Sequence, residues 1–137
     1  MDKNKTIALL NQDLEGEHAA VIQYLVHAYA MGEGEMACEI EAIAREEMRH
    51  FDWLAEAIVS LGGTPSITRG DMRTGGESVP DWMRNDVLQE EEAIALYQEH
   101  IKASDDPKIK RLLKRILSDE RSHRGDFGHF VNKAQKE

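Results

Sequence analysis

Apolar residues recur in alternating steps of three and four along four stretches of the chain. The first stretch includes Leu10, Leu14 and Val21, and the last includes Ile109 and Leu113. This spacing places apolar side chains on one face of an α-helix, so each stretch is predicted to form an amphipathic helix. Only three Pro are present, and β-branched residues, which favour strands, are sparse. The pattern therefore predicts an all-α fold.

Segments rich in glycine or containing proline separate the four predicted helices, which cover residues 5–31, 35–61, 81–103 and 107–133. The first and third connections are short, and short connections make neighbouring helices antiparallel. The second has about 18 residues and could span roughly 60 Å, which exceeds the roughly 40 Å length of such a helix. We therefore expect a single domain over residues 1–137. It would be an antiparallel four-helix bundle in which a long crossover makes the second and third helices parallel.

Six ionisable residues and two tyrosines occupy positions in these apolar faces. The ionisable residues are Glu17, Glu47, His50, Glu90, Glu120 and His123, and the tyrosines are Tyr24 and Tyr97. An offset of 73 residues relates the first half of this set to the second, so that Glu17 corresponds to Glu90 and His50 to His123. The two helical hairpins thus carry two copies of one polar pattern, which predicts a site with two-fold pseudo-symmetry.

Metal binding is the chemistry that this polar set favours. Four carboxylates buried close together repel one another, and a cation removes that repulsion. Glutamate oxygens and histidine nitrogens suit Fe, Mn or Zn. One Glu from each of two helices and a Glu-x-x-His pair from each of the other two is the pattern of di-iron and di-manganese carboxylate bundles. We therefore predict a site for a pair of metal ions, and a structural polar network without metal is the alternative.

Roles within the predicted site follow from the duplicated pattern. Glu47 and Glu120 are expected to bridge the metal ions, with His50 and His123 each binding one of them because a spacing of three puts Glu and His on the same helix face. The glutamates of the other two helices, Glu17 and Glu90, are expected to cap the outer sides. We expect Tyr24 and Tyr97 to hydrogen-bond the ligands or to supply an electron.

The remaining ionisable and aromatic residues on the helices lie off the apolar faces. We expect solvated side chains for Glu15, Glu46, Glu91, Glu92 and Glu99. Surface or interface positions are expected for His18, His27, His100 and His129, and Trp53 and Trp82 are expected to anchor loops or interfaces.

Net charge and cysteine content narrow the range of partners. The formal charge of −9 disfavours nucleic acid and anionic membranes, both of which bind basic surfaces, and is compatible with gathering cations. The lone Cys38 excludes an intramolecular disulfide framework and a CxxC metal site. No apolar run reaches the roughly 18 residues of a membrane span, and the N-terminus turns polar too early for a signal peptide. We therefore expect a cytoplasmic protein.

Four segments resemble the corresponding segments of bacterioferritins: "LNQDLEGEHAAVIQYLVHAY", "EEMRHFDWLAEAIVSLGGTP", "DVLQEEEAIALY" and "LSDERSH". The resemblance spans nearly the whole chain and implies a ferritin-like fold. It also implies a ferroxidase centre that binds a pair of Fe(II) ions at the six ionisable residues. Such a centre would oxidise Fe(II) with O2 or H2O2, and the Fe(III) product would be stored as a mineral.

The same resemblance gives Met48 a separate role. In bacterioferritins the Met directly after the bridging Glu of the second helix is an axial haem ligand, and two such residues hold one haem between two subunits. Met48 lies about 100° around the helix from Glu47, so it is expected to point away from the core. Its counterpart at the offset of 73 residues is Arg121, so the metal site does not require a Met there. Packing at a subunit interface is the alternative.

Two departures from the family bear on assembly and on additional iron sites. The sequence ends seven residues after Phe130, so we expect a short member without the fifth helix that helps to close the bacterioferritin shell. A homo-oligomer is expected, from a dimer to a closed shell of at most about 24 subunits. Ala42 and Glu46 stand where some bacterioferritins have the His and Asp of an inner-surface iron site, so that site is not predicted.

Other functions remain open at the level of sequence. Rubrerythrins and manganese catalases share the Glu-x-x-His pattern, so peroxide scavenging at a di-metal site is the alternative enzymatic function. The absence of a CxxC pair removes the rubredoxin-type electron donor that some of these proteins carry. A haem or iron carrier and a purely structural bundle are the non-enzymatic alternatives.

Overall fold

The computed structural model describes residues 2–136, and within that range the chain forms helices and no strands. The four helices are α1 (Lys3–Met31), α2 (Glu35–Ser60), α3 (Val79–Ala103) and α4 (Pro107–Gln135). Each observed boundary lies within two residues of the predicted one. The all-α prediction and the predicted division into four helices are confirmed.

Side chains of the residues that precede three of the helices cap their N-termini. The Asp2 carboxylate accepts a hydrogen bond of 2.8 Å from the backbone N–H of Lys5 at the start of α1. Asp106 accepts one of 2.9 Å from the N–H of Lys108, and Pro107 occupies the first position of α4. The first N–H groups of a helix have no partner within the helix, so these caps fix where the helices begin.

The crossover, residues 61–78, runs along the bundle and is tied first to α1. The N–H of Gly70 donates to the Glu15 carbonyl at 2.9 Å, and the Ser66 hydroxyl donates to the Glu15 carboxylate at 2.7 Å. A Cβ on Gly70 would lie 3.0 Å from the Glu15 carbonyl oxygen, so glycine permits this close approach. Asn85 and Trp82 of α3 then donate to the carbonyls of Gly75 and Gly76. The crossover therefore lies against α1 and α3.

The core consists of two apolar clusters at opposite ends of the bundle. One contains Leu10, Leu14, Leu54, Ile58, Leu113 and Ile116 among its buried residues. The other contains Ala28, Ile40, Ile43, Met83, Phe127 and Phe130. On every helix the residues between these two groups include the ionisable set, which therefore occupies the middle of the bundle. No helix within residues 2–136 has the length and apolarity needed to cross a bilayer.

Candidate metal centre

All six ionisable residues predicted for the site converge in the middle of the bundle. Their exposed fractions are at most 2%, for Glu17, Glu47, His50, Glu90, Glu120 and His123. Each of the four helices contributes one glutamate, and α2 and α4 each add a histidine one turn later. The helix period therefore places Glu47 and His50 on one face of α2, and Glu120 and His123 on one face of α4.

The six residues form two overlapping groups whose ligand atoms lie within 4.8 Å of one another. The first group is Glu17, Glu47, His50 and Glu120, and the second is Glu47, Glu90, Glu120 and His123. Glu47 and Glu120 belong to both groups, whereas Glu17 and Glu90 each belong to one. This arrangement offers two neighbouring metal positions that share two carboxylates, which is the geometry expected for bridging by Glu47 and Glu120.

The histidine Nδ1 atoms face the carboxylates. His50 Nδ1 lies 3.1 Å from Glu120, 3.3 Å from Glu47 and 3.5 Å from Glu17, each measured to Oε1. His123 Nδ1 lies 2.9 Å from Glu47 Oε1 and 3.5 Å from Glu120 Oε1. Both imidazoles thus direct the same ring nitrogen into the centre, where each could bind one metal ion.

The residues of the centre fit a pair of metal ions because each one keeps a buried polar atom without a hydrogen-bond partner. These atoms are Glu17 Oε2, Glu47 Oε1, His50 Nδ1, Glu90 Oε2, Glu120 Oε1 and His123 Nδ1. A buried polar atom that lacks a partner destabilises the folded state, and native structures contain few of them. Oxygen and imidazole donors are the groups with which Fe and Mn are bound in helical bundles.

Burial and mutual repulsion perturb the ionisation of the centre. Burial, with repulsion from Glu120, raises the pKa of Glu17 to about 7 and that of Glu90 to about 8. Burial, with repulsion from Glu17 and Glu90, raises the pKa of Glu47 to about 7. Burial alone would lower the pKa of His50, but attraction by the surrounding carboxylates of Glu120, Glu17 and Glu47 outweighs burial and raises it. The metal-free centre therefore holds protons that bound cations would displace.

The two tyrosines hydrogen-bond the glutamates of the opposite half of the pattern. The Tyr24 hydroxyl donates to Glu90 Oε1 at 2.6 Å, and the Tyr97 hydroxyl donates to Glu17 Oε1 at 2.6 Å. The hydrogen bonds expected from the sequence are therefore present, and they link α1 to α3. They leave the second oxygen of each glutamate free of protein partners.

Glu46 and Asp119 contact the far nitrogens of the two histidines. His50 Nε2 lies 2.8 Å from Asp119, and His123 Nε2 is paired with Glu46. A carboxylate at the second ring nitrogen orients an imidazole and raises its basicity. The expectation that Glu46 is merely solvated was wrong, because its half-exposed side chain binds His123 across the α2–α4 interface.

The expectation that His27 and His100 occupy surface or interface positions was also wrong, because both are buried inside the bundle. His27 is 2% exposed and its Nδ1 lies 2.7 Å from Asp86. His100 is 5% exposed and its Nδ1 lies 2.8 Å from Asp13. Each pair joins α1 to α3, and both aspartates are buried. The hydrogen bond between the buried acid and the buried imidazole replaces the hydrogen bonds to water that both groups lose on folding.

A signal for these missed residues is present in the sequence. The same offset of 73 residues relates Asp13 to Asp86, His27 to His100 and Glu46 to Asp119. His18, by contrast, is half-buried and His129 is exposed, as expected. Trp82 anchors the crossover as expected, through a hydrogen bond of 3.2 Å from its indole N–H to the Gly76 carbonyl.

Met48 faces away from the centre, as predicted for a helix position next to Glu47. It is 46% exposed and lies in an open groove with His18, Val21 and Phe51. The α1–α2 side of the bundle therefore presents a groove around Met48 in which apolar side chains lie beside the charged Arg49 and Asp52.

Comparison with known proteins shows which protein family the sequence of this chain resembles. The model of the ferritin-like domain matches residues 7–136. The bacterioferritin of Desulfovibrio desulfuricans is 33% identical over 127 residues, which cover 88% of this chain and 71% of that protein. The bacterioferritin of Rhodobacter capsulatus is 30% identical over 125 residues, which cover 87% of this chain and 78% of that protein.

Solved structures show the same similarity in three dimensions. The Desulfovibrio desulfuricans bacterioferritin, solved with its diiron site in different catalytic states, superimposes with a TM-score of 0.91 at 28% identity. The match covers 98% of this chain and 82% of that one. The Rhodobacter capsulatus bacterioferritin, solved with a metal-free dinuclear site and a haem iron in a crystallographic special position, gives a TM-score of 0.88 at 26% identity. That match covers 99% of this chain and 88% of the other.

Proposed function

The chain belongs to the bacterioferritin family of ferritin-like proteins, and on this basis we propose that it is a ferroxidase that oxidises Fe(II) and stores the iron. The pair of Fe(II) ions is the substrate, O2 or H2O2 is the oxidant, and the six residues of the centre are the ligands. The cytoplasmic location stays a prediction.

One observation carries the proposal: each of the six buried residues keeps one polar atom without a hydrogen-bond partner, and the six residues form two overlapping groups whose ligand atoms lie within 4.8 Å of one another. An enzyme that only used these carboxylates as acids or bases would satisfy most of them within the protein. Six unpaired donor atoms in two overlapping groups are instead what a pair of metal ions requires.

The residues of the centre and their hydrogen-bond partners have different roles in binding the metal ions. Glu47 and Glu120 would each reach both metal positions, because both belong to the two ligand groups. Tyr24 and Tyr97 hold Glu90 and Glu17 through their Oε1 atoms, and the Oε2 atoms would remain available to the metal ions. Two bound Fe(II) ions at adjacent positions can together give two electrons to one oxidant molecule. Asp119 and Glu46 keep the imidazoles oriented during this process.

Aerobic addition of Fe(II) tests the proposed function. We expect a fast oxidation phase that saturates at about two Fe(II) per chain, followed by slower formation of a soluble mineral. The absorbance of Fe(III) in a stopped-flow experiment measures the first phase, and iron retained after gel filtration measures the second. The absence of a saturable fast phase would refute the proposal. Rapid H2O2 consumption without iron retention would favour the peroxide-scavenging alternative.

We further propose that two copies of the chain associate through the α1–α2 side and share a haem bound by Met48. The exposed position of Met48 in an open groove supports this proposal. The haem iron in a special position of the Rhodobacter capsulatus protein supports it as well, because such a position is compatible with a haem shared by two subunits.

A substitution of Met48 tests the haem proposal. After expression with ample haem, the purified protein should show a Soret band that the Met48→Leu variant loses, because leucine has no sulfur to bind the iron. The matched control is Met72→Leu, in the crossover, which should keep the band. An unchanged spectrum in Met48→Leu would remove the haem proposal without affecting the ferroxidase proposal.

A further inference from the structure

A small cavity between α1 and α3 connects the candidate metal centre with the side of the bundle. Its volume is about 50 Å³, which is room for about three water molecules. Glu17, Glu47 and Glu120 of the centre line it, together with the buried Gln89 and the exposed Glu92. Because Glu92 is exposed and the three glutamates of the centre are buried, the cavity leads from the solvent toward the centre.

The absence of a side chain at residue 16 helps to keep this cavity open. Gly16 lies in the middle of α1 and lines the cavity. Apart from its chain neighbours and the adjacent backbone of α1, no atom of residues 2–136 lies within 4 Å of the position that its Cβ would occupy, so close packing does not require glycine here. Glycine is unfavourable in the interior of a helix, and its presence beside the cavity leaves the route unobstructed.

Arg73 of the crossover binds Gln89 and Glu92, two of the residues that line the cavity. Its guanidinium donates to Gln89 Oε1 at 2.6 Å and is paired with the Glu92 carboxylate. Its backbone N–H donates to Gln23 Oε1 at 2.6 Å, and Gln23 is fully buried and donates to Asp86. The backbone of Arg73 is therefore held in place independently of its side chain.

The charge pair beside the cavity is accessible to water. The Arg73 and Glu92 side chains are 35% and 64% exposed. Exposed ion pairs are weak and are screened by salt, so this pair can open readily. A free Glu92 carboxylate would attract a cation toward the cavity, whereas the paired guanidinium neutralises that attraction.

We propose that the Arg73–Glu92 ion pair controls the rate at which divalent cations reach the metal centre through this cavity. This inference rests on the proposed function, since it concerns the delivery of the substrate to the same centre. Arg73 and Glu92 are access-controlling residues and do not bind the metal ions in the centre. Glu92, predicted from the sequence to be only a solvated residue, acquires a specific role through its partner in the crossover.

Anaerobic binding of Co(II) to the protein tests the inference without any oxidation step. The rate is followed by stopped-flow absorbance of the Co(II) ligand-field bands, and the stoichiometry by equilibrium titration. We expect Arg73→Met to bind Co(II) about two- to fivefold faster and Glu92→Gln to bind it slower by a similar factor. Arg73→Met keeps the backbone hydrogen bond to Gln23, so the crossover stays in place. High salt should reduce both differences.

Changes of opposite sign in the rate of Co(II) binding would show that the charges control access. If the ion pair only held the crossover against α3, its loss would change the rate in the same direction in both variants. Changes of equal sign, or rates equal to that of the unmodified protein, would overturn the inference. The matched control is Arg84→Met, which breaks the exposed pair with Asp81 on α3 and should leave the rate unchanged. Failure of the unmodified protein to bind about two Co(II) per chain would instead overturn the proposed function, and the inference with it.

Discussion

Replacing Glu47 with alanine should slow the fast phase of Fe(II) oxidation by at least about 100-fold. Glu47 belongs to both ligand groups, so its loss disrupts both metal positions at once. Loss even of groups that only orient metal ligands commonly costs 10–100-fold, and a shared ligand should cost more. Stopped-flow absorbance under air measures the effect, with Glu99→Ala, an exposed glutamate of α3, as the matched control. A rate within about threefold of the unmodified protein would contradict the assignment of Glu47 as a shared ligand.

Replacing Glu47 with glutamine should stabilise the metal-free protein, although loss of this carboxylate is expected to slow Fe(II) oxidation. Burial, with repulsion from Glu17 and Glu90, raises the pKa of Glu47 to about 7 from its usual value of 4.5. A carboxylate whose pKa is raised in the folded state destabilises that state increasingly as the pH rises through this range. The isosteric Glu47→Gln variant should therefore unfold at a higher temperature than the unmodified protein at pH 8 without metal. It should gain less stability when metal is added.

The six candidate ligands could be predicted from the sequence because they interrupt apolar faces that otherwise follow a regular helix period. Polar residues at such positions are conspicuous, and their repetition at a constant offset made the pattern specific. The four helices were predictable for the same reason, since their breakers and N-terminal caps are local features. The helix period and the helix ends depend on residues close together in sequence, and the repeat at 73 residues is visible without knowledge of any contact.

The residues that were missed depend on contacts between helices. Helix α1 packs against both α2 and α3, so its buried stripe is wider than the narrow face from which the prediction was made. Asp13 and His27 fall within that wider stripe, one step away from the apolar face. Their burial could be inferred only by asking which further residues repeat at the offset of 73. The contact of Glu46 with His123 lies in the α2–α4 interface, and no local pattern distinguishes Glu46 from a solvated glutamate.

The path of the crossover along the bundle could not be predicted from sequence patterns either. Its length predicted that it could traverse the bundle. The contacts that fix its path come from single polar atoms of Gln23, Gln89 and Glu15, which are far from the crossover in sequence. Such contacts follow no period, so the pairing of Arg73 with Glu92 became visible only in three dimensions.

Replacing Asp86 with alanine should lower the free energy of unfolding by about 3–5 kcal/mol. Asp86 is fully buried, and its Oδ1 lies 2.8 Å from Gln23 Nε2 and 2.7 Å from His27 Nδ1. The substitution leaves a buried imidazole without its acid and an amide without its main acceptor. Urea denaturation of the metal-free protein measures the loss. Asp13→Ala, in the other half of the pattern, should cost less because, among residues 2–136, only the His100 side chain is hydrogen-bonded to Asp13.

A double substitution distinguishes two quantities. One is the net contribution of the Asp86–His27 pair to the free energy of unfolding, and the other is the cost of leaving one partner buried and unpaired. In Asp86→Leu with His27→Phe, two apolar groups of similar size replace the pair, and His27 already stacks on Trp82 with ring centroids 5.9 Å apart. Apolar replacement of a buried ion pair is often neutral, whereas removal of one partner is not. The double variant should therefore be more stable than Asp86→Ala. If Asp86→Ala lost less than about 1 kcal/mol, the pair would not be the main contact that holds α1 to α3 beside Tyr24 and Glu90.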